Sequence, residues 1–186
     1  MRGMRGKLWI AALLMLASCA DGPPRVVERR IDSAPAPRGA ALLRTTMLDG
    51  QNAERATLGL PLLTWDENLA TSARAYARQM TYTGRFQHAE QPRGPTREGE
   101  NLWTGTTRAY TYAEMLGHWL DERQAFVNGV TPAYSRTGRY QDASHYAQIV
   151  WRNSQRMGCA MAGDDRDEYL VCRYSPTGNV VGERVY

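Results

Sequence analysis

The chain has 186 residues, 42% hydrophobic and 23% charged, which is room for one domain of ordinary size and too apolar for a disordered polymer. Its formal net charge of +4 suggests an anionic partner, but Arg2, Arg5 and Lys7 all precede Cys19, and no acidic residue does. After Cys19, 20 basic residues face 19 acidic ones, a net of +1, so no electrostatic footprint for a nucleic acid is left.

The first 18 residues have the layout of a secretory signal: a basic start, an apolar run over 8–16, then small residues. That run falls well short of the roughly 20 residues needed to span a bilayer. It ends in Leu16-Ala17-Ser18-Cys19, which resembles the lipobox of bacterial lipoproteins. The resemblance implies that 1–18 is removed and that Cys19 carries lipid and partners the membrane. With Ala20 following, it implies an exported chain anchored at an outer membrane or cell surface. Residues 19–39, with Pro23, Pro24, Pro35 and Pro37, read as a flexible tether, and 40–186 as the folded domain.

Within that domain, 40–58 has helical spacing, with Leu43, Met47 and Leu48 apolar and Gly59 and Pro61 as stops. Thr64 and Glu67 make a capping-box signature before Leu69, Ala73, Tyr76 and Met80, and Gly84 ends that helix. A loop rich in glycine and proline covers 87–99. Thr111 and Glu114 repeat the capping signature ahead of Met115, Trp119 and Phe126. From 145 to 152 His145, Ala147, Ile149 and Trp151 alternate, which predicts a strand. Two short strands, 158–162 and 169–174, are predicted to form a hairpin turning at Asp165 and Arg166. Helices first and strands last suggest an α+β fold.

Three cysteines are an odd number for an exported chain. If Cys19 is lipidated, Cys159 and Cys172 remain, placed opposite one another by the hairpin. A disulfide there would contribute about 3 kcal/mol through the unfolded state. Two buried free thiols are the alternative reading.

The histidines are His88, His118 and His145. The alternating pattern turns His145 toward the helices, and Glu122 lies beside the apolar stripe of its helix, where a carboxylate needs a partner. Glu100 sits in Gly99-Glu100-Asn101-Leu102-Trp103, entering an apolar stretch. Two imidazoles and two carboxylates in one cleft could hold a metal or could pair with each other. His118, beside Trp119, reads as a surface or packing residue.

The stretch His145-Tyr146-Ala147-Gln148-Ile149-Val150-Trp151-Arg152-Asn153-Ser154 resembles the first signature of the CAP superfamily (the SCP domain of cysteine-rich secretory, antigen 5 and pathogenesis-related proteins). Tyr169-Leu170-Val171-Cys172-Arg173-Tyr174-Ser175-Pro176-Thr177-Gly178-Asn179-Val180 resembles the second, and the tail 181–186 resembles the ending of the plant members. Further similarity lies in Pro61-Leu62-Leu63-Thr64-Trp65-Asp66, Gly99-Glu100-Asn101-Leu102 and Trp119-Leu120-Asp121-Glu122, so it spans 42–186.

The resemblance implies a three-layer α-β-α sandwich with a mostly antiparallel central sheet, and a Cys159–Cys172 disulfide. It implies a cleft tetrad of His88, Glu100, Glu122 and His145. It implies no required cofactor, with a divalent metal such as zinc held by His88 and His145, and a lipid or sterol ligand, as in some members. Ala89 and Ala147 stand where members often carry a hydroxyl. Pro92, Gly94 and Pro95 interrupt the approach from His88 to Glu100.

Three functions follow. The first is a non-enzymatic module binding a lipid, metal or envelope component. The second is a metal-dependent hydrolase with Glu100 or Glu122 as general base, although HExxH is absent and catalytic zinc usually has three protein ligands. The third is an interaction or defence protein acting through the loops 87–98 and 128–142.

Overall fold

A computed structural model describes residues 34–94 and 96–186. The signal segment, Cys19 and most of the tether lie outside the described residues. The described end of the tether is docked on the domain: Ala36 is buried and its N–H donates to Arg108 O at 3.0 Å. Arg38 donates from Nε to Glu168 at 2.9 Å and from Nη2 to Tyr110 O at 2.9 Å.

Helix α1 (Ala40–Thr57) buries Leu43, Met47, Gln51, Glu54 and Arg55, one stripe at helical spacing. Strand β1 is only Thr64–Trp65, and α2 (Glu67–Thr83) follows at once. The predicted Thr64–Glu67 capping box is corrected here. Thr64 belongs to β1, and Asp66 caps α2, accepting from the N–H groups of Asn68 (2.8 Å) and Leu69 (3.3 Å). Asp66 also pairs with Arg156 at 2.5 Å, so one carboxylate fixes α2 to the sheet. Gly84 closes the helix in the left-handed conformation, as its position suggested. Strand β2 (Gly99–Thr106) leads to α3 (Tyr112–Asp121), whose Thr111–Glu114 capping box is present in both directions. A short turn of 3-10 helix, Glu122–Gln124, continues α3.

The segment predicted as a strand from 145 is instead helix α4 (Ser144–Ile149). Its alternating pattern misleads because Tyr146, Ala147, Gln148 and Ile149 are all buried, so polarity does not report a single face. Glu122 decides the outcome by offering its carboxylate to the N–H groups of His145 and Tyr146 in the helix's first turn.

The hairpin forms as expected. Strands β3 (Arg156–Gly163) and β4 (Asp167–Ser175) pair antiparallel about a turn at 164–166, with Cys159 opposite Cys172 in a disulfide. The sheet order is β1-β3-β4-β2, with β1 parallel to β3 and the other pairings antiparallel. Helix α2 covers one face, packing Ala73, Tyr76 and Met80 on Leu102, Ala160 and Val171. A Cβ at Gly158 would lie 2.3 Å from the Ala70 nitrogen, so glycine permits this close approach. Helices α1, α3 and α4 cover the other face around Met47, Met115, Trp119, Trp151 and Leu170. This is the expected three-layer sandwich, with β2 as an edge strand.

Arg55, fully buried, joins α1 to the site-bearing side. It donates to the carbonyls of Pro61 (2.7 Å), Ile149 (2.8 Å), Trp151 (2.8 Å) and Ser154 (3.1 Å). Burial lowers its pKa to about 10.

Candidate functional site

The pleat of edge strand β2 sends alternate residues to opposite layers. Leu102 joins the α2 layer and Trp103 the opposite core, so Glu100 belongs to the α2 side and Asn101 to the α3/α4 side. The candidate residues straddle this strand.

On the α2 side, Glu100 Oε1 accepts from His88 Nδ1 at 2.6 Å and from the Ala89 N–H at 3.0 Å. A main-chain amide thus makes a bond to Glu100 that a side-chain hydroxyl at position 89 is not needed for. His88 rides on the loop after α2, which Tyr76 grips by donating to Gln87 O at 2.5 Å. Burial, then the nearby Glu100 carboxylate, raises the Tyr76 pKa.

On the other side, Glu122 Oε1 takes His145 Nδ1 at 2.5 Å, while Oε2 accepts from the N–H groups of His145 (2.8 Å) and Tyr146 (3.1 Å). The His145 ring stacks on Trp119 with centroids 5.9 Å apart. Asn101 donates to His145 O at 3.0 Å, tying α4 to β2. Ala147, the other position lacking a hydroxyl, is sealed in the core.

An ionised carboxylate only accepts hydrogen bonds, so each Nδ1 carries a proton, and the neutral form of each ring has its lone pair on Nε2. That is how a histidine is prepared as a metal ligand. Both rings line a cavity of about 560 Å³, together with Glu100, Tyr134, Tyr140 and Asn179. Both also line a neighbouring cavity of about 480 Å³, walled by Phe86, Trp103, His118, Trp119 and Glu122. The four tetrad residues are therefore distributed over two adjoining cavities that share the imidazoles. Burial raises the pKa of Tyr134 to about 12, so it stays a neutral donor there.

Among the described residues, no group of three or more His, Cys, Asp or Glu side chains is arranged to hold a metal ion. An ion held by the two imidazoles would keep exchangeable positions, unlike one in a closed four-ligand structural site. His118 Nδ1 accepts from the Trp103 indole at 2.9 Å, and Tyr110 packs edge-on to both rings. His118 is accordingly part of an aromatic cluster.

Sequence reasoning missed Arg173, whose Nη2 lies 2.9 Å from Glu100 Oε2. An arginine in the apolar strand Tyr169-Leu170-Val171-Cys172-Arg173-Tyr174 was the available signal, because a buried cation implies a buried anion.

Comparison with known proteins agrees with this architecture. Residues 48–174 match the model of the cysteine-rich secretory protein family. "Pathogenesis-related protein 1C" of Nicotiana tabacum is 35% identical over 140 residues, covering 75% of this chain and 78% of that protein. "Secreted protein RBT4" of Candida albicans is 34% identical over 140 residues, covering 73% of this chain and 35% of that larger protein. The crystal structure of NaASP2 with Zn2+ superposes with a TM-score of 0.66 at 20% identity, covering 81% of this chain and 89% of that one. BmVAL-1 gives 0.64 at 23% identity, covering 83% and 86%. The chain belongs to the cysteine-rich secretory protein family, the CAP superfamily.

Proposed function

We propose that the protein is an exported binding module whose cleft takes a divalent ion on His88 and His145 and a lipid or other envelope ligand in the cavities beside them. The observation carrying this reading is that both carboxylates are spent on holding rings. Each imidazole is fixed through Nδ1, which leaves Nε2 of each ring as the nitrogen available to a ligand at the cavities both rings line. The neighbour solved with Zn2+ supports the choice of ion. The apolar wall of Phe86, Trp103 and Trp119 suits an alkyl or ring system close to the ion.

The same geometry counts against a hydrolase. A general base needs a carboxylate facing a bound water, yet Glu122 already accepts three hydrogen bonds and Glu100, 6% exposed, is packed between His88, Ala89 and Arg173. The loop reading merges with the cleft, since Gln91, Arg97, Tyr134 and Tyr140 from the two loops line the larger cavity.

Export is supported by the Cys159–Cys172 disulfide and by the secreted relative. No helix among the described residues is long and apolar enough to cross a membrane. Attachment through a lipid on Cys19 is the corresponding proposal for the anchor, checked by mass spectrometry of the native N-terminus.

Calorimetric titration with zinc tests the binding site. The protein should bind one ion, and His88→Ala and His145→Ala should each abolish saturable binding while the fold persists. Binding unaffected by both substitutions would remove the cleft from the account.

A further inference from the structure

Glu122 is fixed by two amides of the helix it caps, whereas Glu100 receives a single amide, from Ala89. What stands in for the second amide is a charge from the neighbouring strand. Glu100 and Arg173 are direct partners in the β2–β4 register, so the ladder itself sets the two side chains on one face. Both are nearly sealed from solvent, at 6% and 5% side-chain exposure. Arg173 Nη1 lies 3.5 Å from Glu98, whose Oε2 accepts from Ser72 Oγ at 2.5 Å. The guanidinium lies 5.3 Å from the centroid of the Tyr76 ring, the residue that grips the loop at Gln87.

The Arg173–Glu100 contact is a charge contact and not an aligned hydrogen bond. Among the described residues, Glu100 Oε2 and Arg173 Nε have no hydrogen-bond partner. A guanidinium pinned by Glu98 and Tyr76 nevertheless fixes which way the carboxylate turns. With Oε2 drawn to Arg173, Oε1 is left facing the loop, where it meets Ala89 N–H and His88 Nδ1.

We propose that Arg173 is a positioning residue for His88: through Glu100 it sets the orientation in which that exposed imidazole is presented to the cleft. The functional consequence rests on the reading that His88 and His145 share a divalent ion. The positioning itself does not. Arg173 lines neither of the two cavities that His88 and His145 share, and His145, held by Glu122, is independent of it.

The test compares the full chain with Arg173→Gln and Arg173→Lys, reading zinc affinity by calorimetry and the imidazole signals in long-range 1H–15N spectra. In Arg173→Gln, zinc affinity should fall about 10- to 100-fold, the range for partners that orient a ligand. The His88 ring resonances should move while those of His145 stay in place, and Arg173→Lys, which keeps the cation, should restore most of both. If the single variant unfolds because two acids are left uncompensated, Arg173→Gln with Glu98→Gln keeps the native net charge of the cluster and should show the same His88 response. Unchanged His88 resonances in a folded variant overturn the proposal. If the native chain takes up no zinc but the His88 resonances still respond, the positioning stands and the metal-binding reading falls.

Discussion

His145 sits in the first turn of a helix, its side chain 28% exposed and stacked on Trp119, with a carboxylate anchored by main-chain amides. His88 sits on a loop, 66% exposed, with a carboxylate held by one amide and a neighbouring arginine. The same imidazole–carboxylate pair is therefore built twice by different means. Main-chain amides hold one half, and side-chain charge holds the other.

The comparison is broken most severely at the helical half. Arg55→Ala strands four carbonyls, two of them at the end of α4 and just beyond, and should cost about 4 kcal/mol in denaturant unfolding. A loss below about 1 kcal/mol would mean that the junction relaxes and that α4 is not held from beneath. Glu122→Ala removes three hydrogen bonds to one carboxylate and should cost about 2–3 kcal/mol, with loss of helical signal from α4.

At the half carried by the loop the expectation reverses. His88→Ala should leave stability within about 0.5 kcal/mol, as for an exposed side chain, while His145→Ala should cost more than that. Equal costs would erase the distinction. The smallest effect is a control placed away from both halves. Burial alone would raise the Asp66 pKa, but the amides of Leu69 and Asn68 and the Arg156 guanidinium outweigh it and hold the carboxyl below its ordinary value. A carboxyl with a depressed folded pKa contributes stability above its unfolded pKa and loses it as pH falls through the folded one. Asp66→Asn should therefore flatten the acid limb of the stability profile below about pH 4 while leaving zinc binding alone. An unchanged acid limb would show that the cap does not titrate with folding.

Much of this was legible in the residues. The capping box at Thr111, the stop at Gly84 and the hairpin carrying Cys159 and Cys172 are local signals, and each is present in the structure. The failures are non-local. Helix α4 looked like a strand because its N-terminal partner, Glu122, comes from 23 residues upstream. The cap of α2 was placed two residues early because Asp66 gains its advantage from Arg156, on a strand formed much later in the chain. The motifs of the family supplied the names of His88, Glu100, Glu122 and His145, but not how they are held. Arg173 escaped notice because only strand register sets it opposite Glu100.

The most direct measurement is a long-range 1H–15N spectrum of the three imidazoles, recorded without and then with zinc. The account predicts that His88 and His145 both carry their proton on Nδ1, and that zinc shifts both Nε2 resonances together while leaving His118 in place. An Nδ1 without its proton in either ring of the metal-free protein, or a zinc response confined to one of them, would contradict it.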